Sequence, residues 1–457
     1  MVISTSEKQH KPLHPPGRTG FSLLASLPKL AKDPFNFCMS EAAKGNGLVR
    51  LSFGRVSAYL VSHPDYVHHV LIENSPNYIK GSMMDGIRFA LGNGLFTAEG
   101  SHWKRQRKLM QPVFHPEQIE KTALIVNKAV QHAIKRWEEC IDNSTPLNML
   151  TDATETNVEV VLKSLLGTSV NSNQSKRLVQ LTNDVFQGMT KRVWTFFVPS
   201  WFPTPGRSAY KKAIDQLDHE IYSIINQRRE SNASQDDLLG ILVDAKDENG
   251  ESMTDQQIRD EIFTIFLAGY ESTASLVTWA SYLLSQNPQI LELVYKEAIQ
   301  VLGGRTPEYM DMMKLKYARM VLNETLRLYP AFPMYFRTSV KEDKIGDYTI
   351  RGNSPVILSP FATHHDPRFW SDPDKFDPER FLPERFDNHT RKAYYPFGKG
   401  QRICIGQDMS LATALIMLVT FVQKYEFSLV PNSNVSPRYA MTYQPLEMPF
   451  QLKRRKD

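Results

Sequence analysis

A ten-residue run, Phe397-Gly398-Lys399-Gly400-Gln401-Arg402-Ile403-Cys404-Ile405-Gly406, constrains this chain more than any other stretch. A lone cysteine is framed by glycines, with an arginine two residues before it and a long apolar stretch behind it. Glycines let a backbone approach a flat object closely. An arginine can bind a carboxylate bidentately. The pattern predicts a helix starting near Gln407, whose N-terminal dipole points back at the cysteine and favours a thiolate. Thiolate, carboxylate partner and flat object together fit haem iron with a propionate nearby. The plainer reading is a buried thiol, since free cysteines usually behave as small hydrophobes. The flanking residues decide against it, because each has a task around a haem.

Composition sets outer limits. The chain has 457 residues and a formal charge of +5, too mild to indicate nucleic acid. Its three cysteines, Cys38, Cys140 and Cys404, form no C-x-x-C pair and no zinc pattern. Their scarcity suits a reducing compartment. The N-terminal stretch MVISTSEKQHKPLHPPGRTG is polar, with no apolar core of signal-peptide or transmembrane length. The expectation is a cytoplasmic protein without a transmembrane anchor, and a monomer. No linker, repeat or low-complexity tract divides the chain, so 1–457 reads as a single domain, with 1–20 a flexible lead-in.

The hydrophobic pattern is mainly helical. Residues 48–61 alternate around Gly54 and predict a strand pair. The glycine-punctuated stretch 82–100 reads as loop. Helical periodicity dominates from about 103 to 229. Thr254 and Gln257 have capping-box spacing and open a helix running to about 285, long enough to cross a domain. Short strands follow Pro330, and 407–425 is again helical.

Further constellations lie on these elements. In Glu324-Thr325-Leu326-Arg327 the acid and base share one helix face; alone this is a surface pair worth ~0.2–0.5 kcal/mol. The run 373–381 ends in Pro378-Glu379-Arg380-Phe381. On the long helix, Ala268-Gly269-Tyr270-Glu271-Ser272-Thr273 sets small residues beside an acid and two hydroxyls. Ala268 and Ser272 share a face. Such a face could lie against a macrocycle and pass protons; packing with a solvated glutamate is the plainer alternative. Trp103 and Arg107 are four apart and both donate hydrogen bonds, as a carboxylate requires.

Together these motifs resemble the cytochrome P450 family over 48–445, in the family's order and in a soluble bacterial-type form. The cysteine loop matches F-x-x-G-x-R-x-C-x-G without departure. The others resemble W-x-x-x-R, A-G-x-[DE]-T-[ST], E-x-x-R, H-[RH]-D-P and P-E-R-F. The one departure is Ser272, where threonine is usual. Serine has freer rotamers, so oxygen activation would leak more peroxide unless Thr273 shares the role.

The resemblance implies a mainly α fold, a helical prism with a smaller β-rich subdomain. It implies haem b (iron protoporphyrin IX) with Cys404 as axial iron ligand. Cofactor contacts carry over to Trp103, Arg107, Ala268, Arg337, His364, Phe397, Arg402 and Gly406. Glu271, Ser272 and Thr273 carry over as catalytic. Glu324, Arg327 and Arg380 carry over as a buried structural triad. Substrate contacts map to Met83, Ile87, Phe96, Phe263, Leu267, Ala268, Phe332, Met334, Tyr335 and Met441. These positions are mostly apolar and imply a small, fairly apolar substrate: a terpenoid, fatty acyl or polyketide-like molecule.

The implied reaction uses O2 and inserts one oxygen atom by hydroxylation or epoxidation, as in secondary metabolism. Electrons would come from a separate ferredoxin or flavodoxin-type donor with its reductase, docked on Lys104, Arg105, Lys108 and Lys399; no fused reductase is seen in the sequence. The rivals are a haem-thiolate isomerase, a peroxide-using enzyme and a non-enzymatic haem sensor.

Overall fold

The computed structural model describes residues 13–54, 56–167, 172–194, 206–230, 237–439 and 442–455. Its axis is the central helix Asp255–Gln286, 32 residues long, or about 48 Å at 1.5 Å per residue. The Thr254–Gln257 capping box starts it, with both reciprocal bonds formed. The helix is buried over most of its surface. Met149–Leu166 lies along one side of it and the proximal helix Gln407–Lys424 along another. Only Ala268, in the middle of its buried length, is exposed, with Ile265, Gly269 and Ser272 partly so. A helix buried at both ends and bare in the middle must border an internal space there.

Beside three smaller sheets among the described residues, the main sheet has six strands in the order Gly17–Thr19, Leu48–Phe53, Val56–Val61, Pro355–Leu358, Tyr335–Ser339, Tyr78–Ile79. The strand pair expected at 48–61 forms its centre, turning at Gly54 with φ +58°. At the far edge Ile79 pairs with Thr338, which sets Lys80 beside Arg337. Gly81 follows because a Cβ there would lie 2.6 Å from the Thr338 Cβ. The loop expected over 82–100 is partly helical, with a 3-10 turn Ser82–Met84 and a helix Asp85–Leu91. Glycine punctuation hid it, because Gly86 falls in its first turn and Gly92 caps its end while Ile87, Ala90 and Leu91 form its buried face.

Glu324, Arg327 and Arg380 meet in full burial. Arg327 donates to both oxygens of Glu324 at 2.7 and 2.8 Å, and Arg380 Nε donates to Oε1 at 3.3 Å. The Asp377 N–H adds a bond to the same oxygen at 3.0 Å. Arg327 also donates to the His364 carbonyl, and Arg380 to the Ser371 and Asp372 carbonyls. The triad thus ties the Lys316–Leu328 helix to the segment that leads to the cysteine loop. Arg327→Met would leave a buried carboxylate short of its main partner, at a cost of about 3–5 kcal/mol. A clearly lowered urea midpoint is expected; an unchanged midpoint would show that the triad is not a structural tie.

Candidate active site

The bare strip of the central helix faces a cavity of about 330 Å³. Its floor is the cysteine loop. The Cys404 N–H donates to the Phe397 carbonyl at 3.0 Å and closes the loop. Gly398 and Gly400 have φ +75° and +71°, and a Cβ on Gly400 would lie 2.4 Å from the Leu71 carbonyl oxygen. Only glycine serves there. Arg107, on Gly100–Met110, clamps the loop from the side by donating to the Ile403 carbonyl at 3.0 Å. Cys404 is exposed, and the surface it lines is that of the cavity. Enclosure by protein pushes its thiol pKa up, opposed by the Gly406 N–H and by Arg107. A coordinated metal would reverse that balance, since a ligating thiol is deprotonated.

The wall opposite is built from Ala268, Gly269, Ser272 and Thr273. Ser272 Oγ donates back to the Ala268 carbonyl at 2.7 Å. Thr273 Oγ1 shares a 2.8 Å hydrogen bond with Ser410 Oγ of the proximal helix. Asn157 Nδ2 donates to the Gly269 and Tyr270 carbonyls at 2.8 and 2.6 Å. Glu271 turns the other way. It is buried behind the wall, and its Oε2 accepts from Thr442 Oγ1 at 2.8 Å. Burial pushes its carboxyl up to about 7, with Thr442, Arg438 and Gln444 opposing.

One end of the cavity collects positive charge. Lys80, Arg337 and Arg402 all line it. The acid among them is Glu99, which accepts from Arg402 at 2.5 Å and from the Lys80 backbone N–H at 2.5 Å. Burial, then the nearby Arg402, holds Arg337 down at about 10. Burial, then Arg337 and Arg402, holds Lys80 well below the usual lysine range. Buried like charges cost free energy unless an anion joins them. Trp103 lies under the Arg402 guanidinium, 4.2 Å away, and also lines the cavity. A thiol at the floor, cations at one end and apolar walls elsewhere fit a flat macrocycle carrying two carboxylates. The residues present fit a haem.

Of the expected cofactor contacts, Trp103, Arg107, Ala268, Arg337, Phe397, Arg402, Cys404 and Gly406 come together around this cavity. His364 does not. It is fully buried, its Nε2 accepts from the Tyr395 N–H at 3.2 Å, and its Nδ1 meets the Arg327 carbonyl at 3.1 Å. Both ring nitrogens are used in joining the triad helix to the segment before the cysteine loop. Of the expected substrate contacts, Ile87, Phe96, Ala268, Phe332, Met334 and Tyr335 line the cavity. Met441 lies outside the described residues.

Phe263, Leu267 and Met83 are corrections. Phe263 and Leu267 are buried in the apolar cluster against the neighbouring helices. At about 100° per residue, positions 263 and 267 lie about 140° and 100° around the helix from Ala268. Positions 264 and 265 lie within about 60° of it, and Thr264 and Ile265 are the residues that line the cavity. Met84 lines it in place of Met83, on one face with Ile87. The basic docking run is mostly spent internally. Arg105 pairs with Asp247, Lys108 with Glu248, and Lys399 donates to the Lys392 and Arg391 carbonyls. Lys104 has no ion pair among the described residues.

Sequence reasoning missed Lys80, Glu99, Asn157, Ser410 and the tie from Thr442 to Glu271. A helical wheel centred on Ala268 would have found Thr264 and Ile265. Nothing local marks Lys80; the sheet register brings it to Arg337.

The sequence profile described as Cytochrome P450 matches residues 15–451. Cyclooctatin synthase of Streptomyces melanosporofaciens is 31% identical over 434 residues, covering 94% of each chain. Cyclooctat-9-en-7-ol 5-monooxygenase of the same organism is 31% identical over 443 residues, again covering 94% of each chain. Pentalenene oxygenase of Streptomyces avermitilis is 27% identical, covering 93% of this chain and 94% of its own. Among solved structures, the cytochrome P450DA heme domain superposes with a TM-score of 0.85 at 24% identity, over 97% of each chain. Lys80→Met and Arg337→Met each remove a cation from the carboxylate end. Haem transfer to excess apomyoglobin should then accelerate by about tenfold or more, from charge-assisted bonds of about 1.5–3 kcal/mol. Wild-type rates in both variants would mean that this cluster does not hold the propionates.

Proposed function

Because the chain belongs to the cytochrome P450 family, we propose that it is a haem-thiolate monooxygenase acting on a terpenoid-like, fairly apolar substrate. The observation that carries this is the thiol of Cys404 on the floor of an apolar cavity, opposite the bare strip Ala268–Ser272. The cofactor is haem b, held without covalent attachment; among the described residues, Cys404 is the cysteine lining the cavity. When bound, haem supplies activation of dioxygen and insertion of one oxygen atom into a C–H or C=C bond.

The chain's residues do the rest. Arg107 and the Phe397 carbonyl hold the Cys404 loop in place. Lys80, Arg337 and Arg402 orient the cofactor by its carboxylates. Ile87, Phe96, Phe332 and Met334 exclude water and hold the substrate. Ser272 presents its hydroxyl at the cavity wall, and Glu271 behind it takes up and returns protons. The substrate class rests on relatives named for cyclooctatin, cyclooctat-9-en-7-ol and pentalenene. Electrons come from a separate ferredoxin or flavodoxin-type donor with its reductase. The three cysteines are free, which supports a cytoplasmic setting.

Spectral titration tests the substrate class. Cyclic terpenes and terpene alcohols should shift the Soret band, while straight-chain fatty acids should not; the reverse result would overturn the terpenoid reading. The reduced carbon monoxide complex should show the red-shifted band of thiolate ligation, and Cys404→Ser should lose it. Ser272→Ala should lower product formed per electron and raise peroxide; unchanged coupling would shift the role to Thr273. With its carboxyl at about 7, Glu271 is neutral below that pH and charged above it. Coupling should therefore fall as pH rises through about 7, and Glu271→Gln should make it low and pH-independent.

A further inference from the structure

The central helix grips the C-terminal hairpin with side chains one turn apart. Glu271 Oε2 accepts from Thr442 Oγ1 at 2.8 Å. Ser275 Oγ and Trp279 Nε1 both donate to the Tyr443 carbonyl, at 2.8 and 2.9 Å. Positions 271, 275 and 279 share one helix face. The hairpin is braced in turn. Tyr443–Pro445 pairs antiparallel with Pro437–Tyr439, and the Tyr443 N–H donates to the Ala331 carbonyl at 2.9 Å. Thr442 therefore stands at a defined position relative to the helix. Of the three grips, only the first involves an ionisable group, and both of its partners are more than nine-tenths buried.

We propose that Thr442 is the positioning residue for proton handling by Glu271, with Gln444 as its second support. This deepens the proposed function and rests on it in one respect, that Glu271 handles protons. A glutamate side chain has several rotatable bonds. Behind the cavity wall, Thr442 ties one carboxyl oxygen to the hairpin and so fixes the carboxyl of the residue that precedes Ser272, whose hydroxyl borders the cavity. The donated bond also favours the ionised form, against the burial that disfavours it. The charged and titratable groups facing Glu271 are Arg438 from the hairpin and Tyr270 beside it on its own helix. From Met149–Leu166 comes the neutral amide of Asn157, which occupies the adjacent Gly269 and Tyr270 carbonyls. A carboxyl so placed can take a proton and return it near neutral pH.

The test is Thr442→Val, which keeps both anchors on the Tyr443 carbonyl and deletes the hydroxyl. Infrared difference spectra across pH follow the carbonyl band of protonated Glu271, assigned by its loss in Glu271→Gln. Removing a donor to the ionised form should raise the midpoint by about half a unit to one unit. The pH profile of product per electron should move by the same amount, and Thr442→Ser should restore both. Gln444→Leu should shift both in the same direction by less, which keeps the test open if Thr442→Val does not fold. The inference is overturned if folded Thr442→Val keeps the wild-type midpoint and profile while Glu271→Gln loses the band and alters coupling. If Glu271→Gln instead keeps wild-type coupling at every pH, the proton-handling reading fails and Thr442 has no such role to support.

Discussion

The structure depends on one helix that is buried at both ends and bare in the middle. Asp255–Gln286 loses most of its surface to neighbouring helices, and that burial is the main favourable term available to it. At Ala268 and Ser272 the side chains are too small to fill the space in front of them. Burying another helix there would destroy the cavity. Gly269 serves a different need: a Cβ on it would come within 3.3 Å of Val161, so its missing side chain lets Met149–Leu166 approach closely. Asn157 then satisfies two helix carbonyls from that side. One short segment therefore serves packing on one face and open space on another.

Two clusters of charge, one buried and one at the cavity's edge, show opposite logic. In the Glu324–Arg327–Arg380 group nearly every donor and acceptor is matched within the chain, and the cluster works as a tie between segments. At the cavity end, Lys80, Arg337 and Arg402 face each other with Glu99 as their acid. The first cluster is complete as folded. The second carries more cations than acids, a balance that the carboxylates of the proposed cofactor would complete.

Much of this was legible in the residues. The cysteine loop, the capping box at Thr254 and the strand pair around Gly54 follow from short-range spacing, because hydrogen bonds and backbone strain act over a few residues, whereas the triad, with Arg380 56 residues from Glu324, was legible only through the family resemblance. The misses share a different cause. Phe263, Leu267 and Met83 were matched by position along the chain, whereas lining a cavity depends on rotation around a helix. His364 sits in a motif that turns near the haem loop, yet its ring is spent on two backbone groups. The basic run around Lys104 looked free because its acidic partners, Asp247 and Glu248, lie about 140 residues away in sequence.

By itself, the sequence determined the kind of chemistry: a thiol in a glycine frame, an arginine beside it, and a helix with small residues and hydroxyls at one level. Those are local patterns, and local sterics and hydrogen bonding read them directly. Only the tertiary structure decided which groups share the site. Lys80 reaches Arg337 through strand register, and Thr442 reaches Glu271 across 171 residues of chain. It also turned Glu271 away from the cavity while leaving Ser272 at its wall. Such pairings come from how buried surfaces settle against one another, and no short stretch of chain carries that information.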